Sequence, residues 1–334
     1  MFNVHPNYNP KGLGLFARGY IELYRATGER EYLDRAKMLL NTLMEKRSTG
    51  YHGISWGYPF DWQSRIFIPR GTPSAVVTTT VGTAFVEMYQ ITKEERYLDA
   101  ARKVRTFLIT DLKRTKTADN RLCFSYTPID NFTVHNANLM VCAFLTRTEN
   151  LVKGASAERR IVRDAVNYTV GCQRSDGSWY YWGPPSRDLG VIDSFHTGFV
   201  LRSLAEIYLC KKNLVDLDII EKGYRYYLKN LLTESGRPRY TSTKEYPVDI
   251  HACAEGILCP LHVGELMMKE ESLNTARRVL GWTLENMYNR NGYFHYKQLA
   301  SGAKIRYPFM RWGQAWMMLA LAKSYIEHEG AWKY

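Results

Sequence analysis

Long apolar runs are missing from this sequence. Although 45% of its 334 residues are hydrophobic, none of the runs reaches the roughly 18 apolar residues that a bilayer span needs. The start, MFNVHPNYNPKGLG, has no basic segment followed by an apolar one, so no secretory leader is expected. Paired cysteines are missing too. Six stand apart at 123, 142, 172, 210, 253 and 259, several in apolar stretches such as LMVCAFL and GILCPL. Buried free thiols are expected, and with them a reducing, cytoplasmic compartment. The sequons at Asn131 and Asn167 then carry no glycan. There is no zinc finger, helix-turn-helix or RNP motif, so the formal charge of +12 points to an anionic partner other than nucleic acid. HExxH and GxSxG are absent, and no metal site, cofactor or serine nucleophile is expected.

What the chain does have is repetition. LYRATGEREYLDRAKMLLNTL (23–43) matches MYQITKEERYLDAARKVRTFL (88–108), each reading as a helix end, a short turn at Gly28 or Lys93, and a second helix. In the second copy Tyr97, Leu98, Ala101, Val104 and Leu108 fall on one helical face. Weaker copies follow. After each comes a long loop rich in glycine and aromatics, such as GYHGISWGYPFDWQSRIFIPRGTP and SDGSWYYWGPPSRDLGVID.

The first helix of each pair, as in SAVVTTTVGTAFVEMY or ACAEGILCPLHVGEL, is apolar nearly all round and should be buried beneath its one-faced partner. Six inner and five outer helices predict an all-α, six-hairpin (α/α)6 toroid in one domain over 1–334. One outer helix is missing from the count. It either lies upstream or is replaced by the N-terminal segment. Repeats of 55–65 residues with long loops argue against a tetratricopeptide solenoid, whose repeats run to about 34.

CQRSDGSWYYW (172–182) resembles the QW-type turn of terpene-cyclase and prenyltransferase-like toroids, without their diphosphate-binding or zinc-ligand signatures. NPKGLGLFARGYIELYRATGEREYLDRA, WGYPFDWQSR with IPRGTPSAVVTT, and DSFHTGFVLRSL resemble VpsJ-like polysaccharide-biosynthesis proteins over most of the chain. That resemblance implies a role in surface-glycan assembly and supplies no reaction.

His135, His196 and His251 each stand where a long loop enters an inner helix. In a toroid those ends share one rim, where six helix N-termini favour anions and keep a histidine neutral, as a general base requires. Asp193 and Asp249 precede two of the three and could simply cap their helices. The loop SWGYPFDWQSR offers Trp56, Tyr58, Asp61 and Trp62, with Asp61 a candidate acid if buried among the rings. Other loops add Arg70, Tyr126, Asn136, Trp179, Tyr180, Arg311 and Trp312 as aromatic platforms and carboxylate clamps for an acidic oligo- or polysaccharide.

Three functions fit. In the first, a histidine or Tyr126 takes the C5 proton of a uronate, giving epimerisation or β-elimination. In the second, two carboxylates among Asp61, Asp193, Asp249 and Glu255 hydrolyse a glycosidic bond. Unsaturated-glucuronide hydrolases of similar fold carry a D-x-x-M-N-L stretch with no counterpart at TVHNANLM. The third is a glycan binder without catalysis. Oligomeric state is not readable from these residues.

Overall fold

The computed structural model describes residues 7–117, 119–152 and 158–326, and eleven α-helices among them. Odd-numbered helices are the inner ones: α1 (Pro10–Thr27), α3 (Ala75–Thr92), α5 (His135–Thr148), α7 (Ser194–Cys210), α9 (Ile250–Gly264) and α11 (Ala315–Ile326). Even-numbered helices are the outer ones: α2 (Arg30–Glu45), α4 (Glu95–Thr110), α6 (Arg159–Val170), α8 (Leu217–Leu231) and α10 (Lys269–Met287). Each inner helix packs on the next inner helix, and α11 closes the ring against α1. Each outer helix packs on the inner helix before it. This is the (α/α)6 toroid that the repeat predicts.

Local sequence explains the two layers. Helix α3 is rich in threonine and valine, poor helix formers, and holds only because it is buried nearly all round. Its buried hydroxyls stay satisfied by bonding back along the helix, Thr79 to Ala75 O and Thr80 to Val76 O, both at 2.7 Å. Helix α4 buries Tyr97, Leu98, Ala101, Val104 and Leu108, the stripe its spacing implies. The tight turns between inner and outer helices use left-handed backbone, φ 72° at Gly28 and φ 59° at Lys93.

The long connections run from outer to inner helices, so they all meet at the rim that holds the inner N-termini. They are pinned by short antiparallel pairings, including Trp62–Gln63 with Phe67–Ile68, and Val248–Asp249 with Lys297–Gln298. The QW-type turn is a structural rivet. Gln173 Nε2 donates to Gly177 O and Ile219 O at 3.0 and 2.9 Å, and Trp179 Nε1 donates to Thr169 O at 2.9 Å.

Among the described residues no outer helix covers the seam between α11 and α1. A groove of about 980 Å³ lies there, lined by Phe16, Leu23, Leu284, Met318, Leu321 and Tyr325. It is far more apolar than the rim.

Close helix packing yields a stability prediction. A Cβ on Gly82 would stand 2.8 Å from Phe144 Cε2 and 3.0 Å from Val104 Cγ1. Gly82→Val should therefore overpack the α3–α5–α4 contact and cost about 1–3 kcal/mol in urea unfolding.

Candidate active site

Four inner helices, α1, α3, α7 and α9, enter the rim through side-chain caps. Asp193 Oδ1 accepts from His196 N and Asp249 Oδ1 from His251 N, each at 2.9 Å. Both aspartates cap their helices, but they differ in what else they do. The second oxygen of Asp193 meets His196 Nδ1 at 2.6 Å. A carboxylate can only accept, so the ring proton sits on Nδ1 and the Nε2 lone pair is free. The His196 side chain is 26% exposed and its ring rests against Tyr181 and Phe195, with centroids 4.3 Å away in each case.

Asp249 is committed elsewhere. It also accepts from Trp312 Nε1 at 2.8 Å and lies 3.5 Å from Lys297 Nζ. Burial raises its pKa against the pull of these donors.

The three histidines do not act together. His135 is the first residue of α5, His251 the second of α9 and His196 the third of α7. Each step turns a side chain by about 100° around the helix. His135 therefore faces outward, its Nδ1 3.2 Å from Thr169 Oγ1 and its ring on Tyr168. Burial pulls its pKa down to about 4. It links α5 to α6 and also borders, with Asn136 and His196, a small crevice. His251 faces inward but is packed flat between Phe195 and Trp316, at 4.7 and 5.1 Å. Among the described residues neither of its ring nitrogens has a hydrogen-bond partner, and burial drives its pKa well below the ordinary value. In both cases burial, not the helix dipole, keeps the ring neutral.

A second cluster at the rim gathers Tyr58, Trp62, Tyr126, Arg311 and Trp312, joined to His196 through Phe195, which touches both Trp312 and the His196 ring. Arg311 lies over the Tyr58 ring at 4.7 Å and within 5.5 Å of the Trp312 ring. Among the described residues no carboxylate comes within ion-pair distance of it. Tyr126 stacks edge-on to Trp62 at 5.9 Å. Burial pushes the Tyr126 phenol well above its ordinary pKa. Asn136 is buried with Oδ1 unpartnered, and with Tyr180 and His196 it lines a small crevice.

Several expected contacts lie elsewhere. Trp56 is core: fully buried, donating to Leu43 O at 2.7 Å and stacked on Phe85. Trp179 is buried in the rivet described above. Asp61 is exposed and accepts from Arg70 N at 2.7 Å, which leaves Asp61 without the burial an acid catalyst needs and Arg70 as a loop staple. Arg65 ties two loops together, its guanidinium 3.9 Å over the Trp182 ring and bonded to Ser186 Oγ at 2.6 Å.

Sequence reasoning passed over the floor of the site. Glu255, named only as a possible hydrolytic acid, is fully buried and held bidentately by Arg202 at 2.6 and 3.0 Å. Burial, opposed by Arg202, pushes its pKa up to about 7. Gly198 makes room for it, since a Cβ there would stand 2.3 Å from Glu255 Cγ. Lys11, in the first turn of α1, was missed altogether. It is 5% exposed, with Nζ 5.2 Å from the Trp316 ring centroid and 6.0 Å from that of Phe199. An apolar helix start had hidden it. Among the described residues no three His, Cys, Asp or Glu side chains converge as a metal site, and all six cysteines are free.

Two predictions follow from these placements. Trp56→Ala should cost about 3–5 kcal/mol of stability, as truncation of a buried aromatic does, whereas a glycan platform would leave urea unfolding almost unchanged. The second concerns pH. The folded pKa of His135, about 4, lies below its unfolded value, so stability is full above pH 6.5 and falls as pH drops toward 4. Replacing His135 with Gln should flatten that part of the acid-unfolding profile by about 3 kcal/mol.

No protein-family model matches the chain, and no curated protein matches it. Solved structures do. A cellobiose 2-epimerase from Bacillus thermoamylovorans B4167 aligns with TM-score 0.75 at 13% identity, over 96% of this chain and 88% of that one. A polysaccharide lyase aligns with TM-score 0.67 at 13% identity, over 100% and 94%. A glycosyl hydrolase family 88 protein from Bacteroides vulgatus gives 0.64 at 12%, over 96% and 93%. What these similarities share with the chain is the (α/α)6 toroid.

Proposed function

We propose that this protein is a carbohydrate-active enzyme that removes a proton from a sugar carbon next to a carboxylate, acting on a uronate-containing glycan as an epimerase or lyase. The observation that carries the reading is the Asp193–His196 pair, whose 2.6 Å contact directs the free Nε2 lone pair away from the carboxylate. A base held in one tautomer by a buried acid suits proton abstraction. Arg311, which has no acidic partner among the described residues, supplies charge for the substrate carboxylate, and an enolate formed there would gain most from it. Tyr126, whose phenol burial raises well above its ordinary pKa, would serve as the proton donor. Tyr58, Trp62 and Trp312 give flat apolar surface for sugar rings.

The toroids it resembles include proteins named as a sugar epimerase, a D-mannose isomerase and a polysaccharide lyase, names that fit proton-transfer chemistry at a sugar carbon. Hydrolysis by a carboxylate pair is less well supported. Asp193 is bound to His196, Asp249 to Trp312, and Glu255 to Arg202, and Asp61 is out on the surface. A place in surface-polysaccharide assembly rests on the VpsJ-like resemblance of the sequence.

The test is exchange in heavy water. Wild-type protein should place deuterium at C5 of a uronate oligosaccharide, read by NMR. His196→Gln should lower that rate by about 10²–10⁴ while unfolding stays nearly unchanged. Asp193→Asn separates the two roles of Asp193, since asparagine caps a helix as well as aspartate does but cannot hold the ring as a carboxylate. Exchange should fall there too. Chain shortening with no deuterium in any product would replace this reading with hydrolysis.

A further inference from the structure

Lys11 breaks several local rules at once. It sits at the second position of α1, where the positive end of the helix dipole disfavours a cation. It is buried, which strongly disfavours an ammonium without a counter-charge. Among the described residues no carboxylate lies within ion-pair distance of it and no acceptor takes its protons. Every element around it has been spoken for. From α9 come Glu255, already paired with Arg202 of α7, and His251, whose ring is neutral. From the turn before α11 comes Arg311, and from α7 Arg202 itself, both like charges. What touches the ammonium is aromatic, the faces of Trp316 and Phe199. Such violations concentrate where a protein binds something.

We propose that Lys11 is a ligand-contacting group of the rim site, and that a carboxylate-bearing sugar supplies the counter-charge it lacks. The inference rests on the uronate reading given above and assigns the floor of that site. With burial first among the causes, and Arg311 and Arg202 adding to it, the Lys11 pKa falls to about 7. The free protein at pH 8 therefore holds a mostly neutral amine. An anion docking beside it restores the ordinary preference for ammonium, so binding takes up a proton from solvent. The same feature makes the empty site costly: since the folded pKa lies below the unfolded value, stability rises with pH between about 7 and 10.5.

Calorimetric titration of the full chain with glucuronate at pH 8, in buffers of different ionisation enthalpy, measures the uptake directly. The methyl ester of glucuronate is the neutral control. Wild-type protein should take up most of one proton per glucuronate and none with the ester. Lys11→Met should abolish the uptake and weaken glucuronate binding about tenfold or more, yet raise the melting temperature of the free protein. Lys11→Arg should bind glucuronate without uptake. Proton uptake that persists in Lys11→Met, glucuronate binding to the wild type without uptake, or no glucuronate binding at all would overturn the proposal. The exchange experiment keeps the two ideas apart. Deuterium exchange that depends on His196, with no Lys11-dependent uptake, removes the role of Lys11 alone. Lys11-dependent uptake with no exchange removes the catalytic reading and leaves the carboxylate site.

Discussion

The Arg202–Glu255 pair at the axis of the ring is the contact on which the site depends. A closed ring of six helices leaves a central column that must be filled, and here it is filled partly with charge. Below the pair, Arg18 grips Glu87 at 2.9 and 3.0 Å, and Arg147 reaches Glu206 at 3.2 Å. Ions so buried survive only when each has its partner. Glu255 is fully buried and its two oxygens are taken by one guanidinium. That arrangement fixes α7 against α9, and with them His196 against His251. It also uses up the acid nearest to Lys11, which is why the rim above carries unpaired positive charge.

From this follows a division along the axis. Toward the closed end the charges neutralise each other and the helices are locked. Toward the rim two basic side chains, Lys11 and Arg311, face aromatic rings instead of acids. A neutral sugar could stack on those rings, but only an anion would settle the charge. The Asp193–His196 pair stands at the edge of the same region, where it is partly open to solvent. Base, cations and ring platforms thus come from different helices and loops, brought together because every long connection enters at one end.

The architecture was legible because helical hairpins leave a strong mark on a sequence: apolar inner helices, one-faced outer ones, and a turn such as Gly28 or Lys93 between them. The rim was only partly legible. Asp193, His196 and Arg311 could be singled out from their place before or within an inner helix. Whether His135, His196 and His251 point the same way depends on a register difference of one residue, which spacings of 61 and 55 residues do not reveal. Composition also misleads about aromatics. Trp56 and Trp179 lie in the same kind of loop as Tyr58 and Trp62, but each has an indole N–H that finds a backbone carbonyl inside the protein. Lys11 left no signal at all, since a lysine near a helix start is ordinary until its neighbours are known.

The central claim is that one anionic sugar is held between the cations of the rim and the open nitrogen of His196. A crystal structure of the protein with a uronate oligosaccharide tests it most directly. The account predicts a sugar carboxylate between Arg311 and Lys11, with His196 Nε2 within about 3–3.5 Å of the carbon that bears the acidic hydrogen. A sugar bound with its carboxylate in solvent, or seated in the apolar seam between α11 and α1, would contradict it.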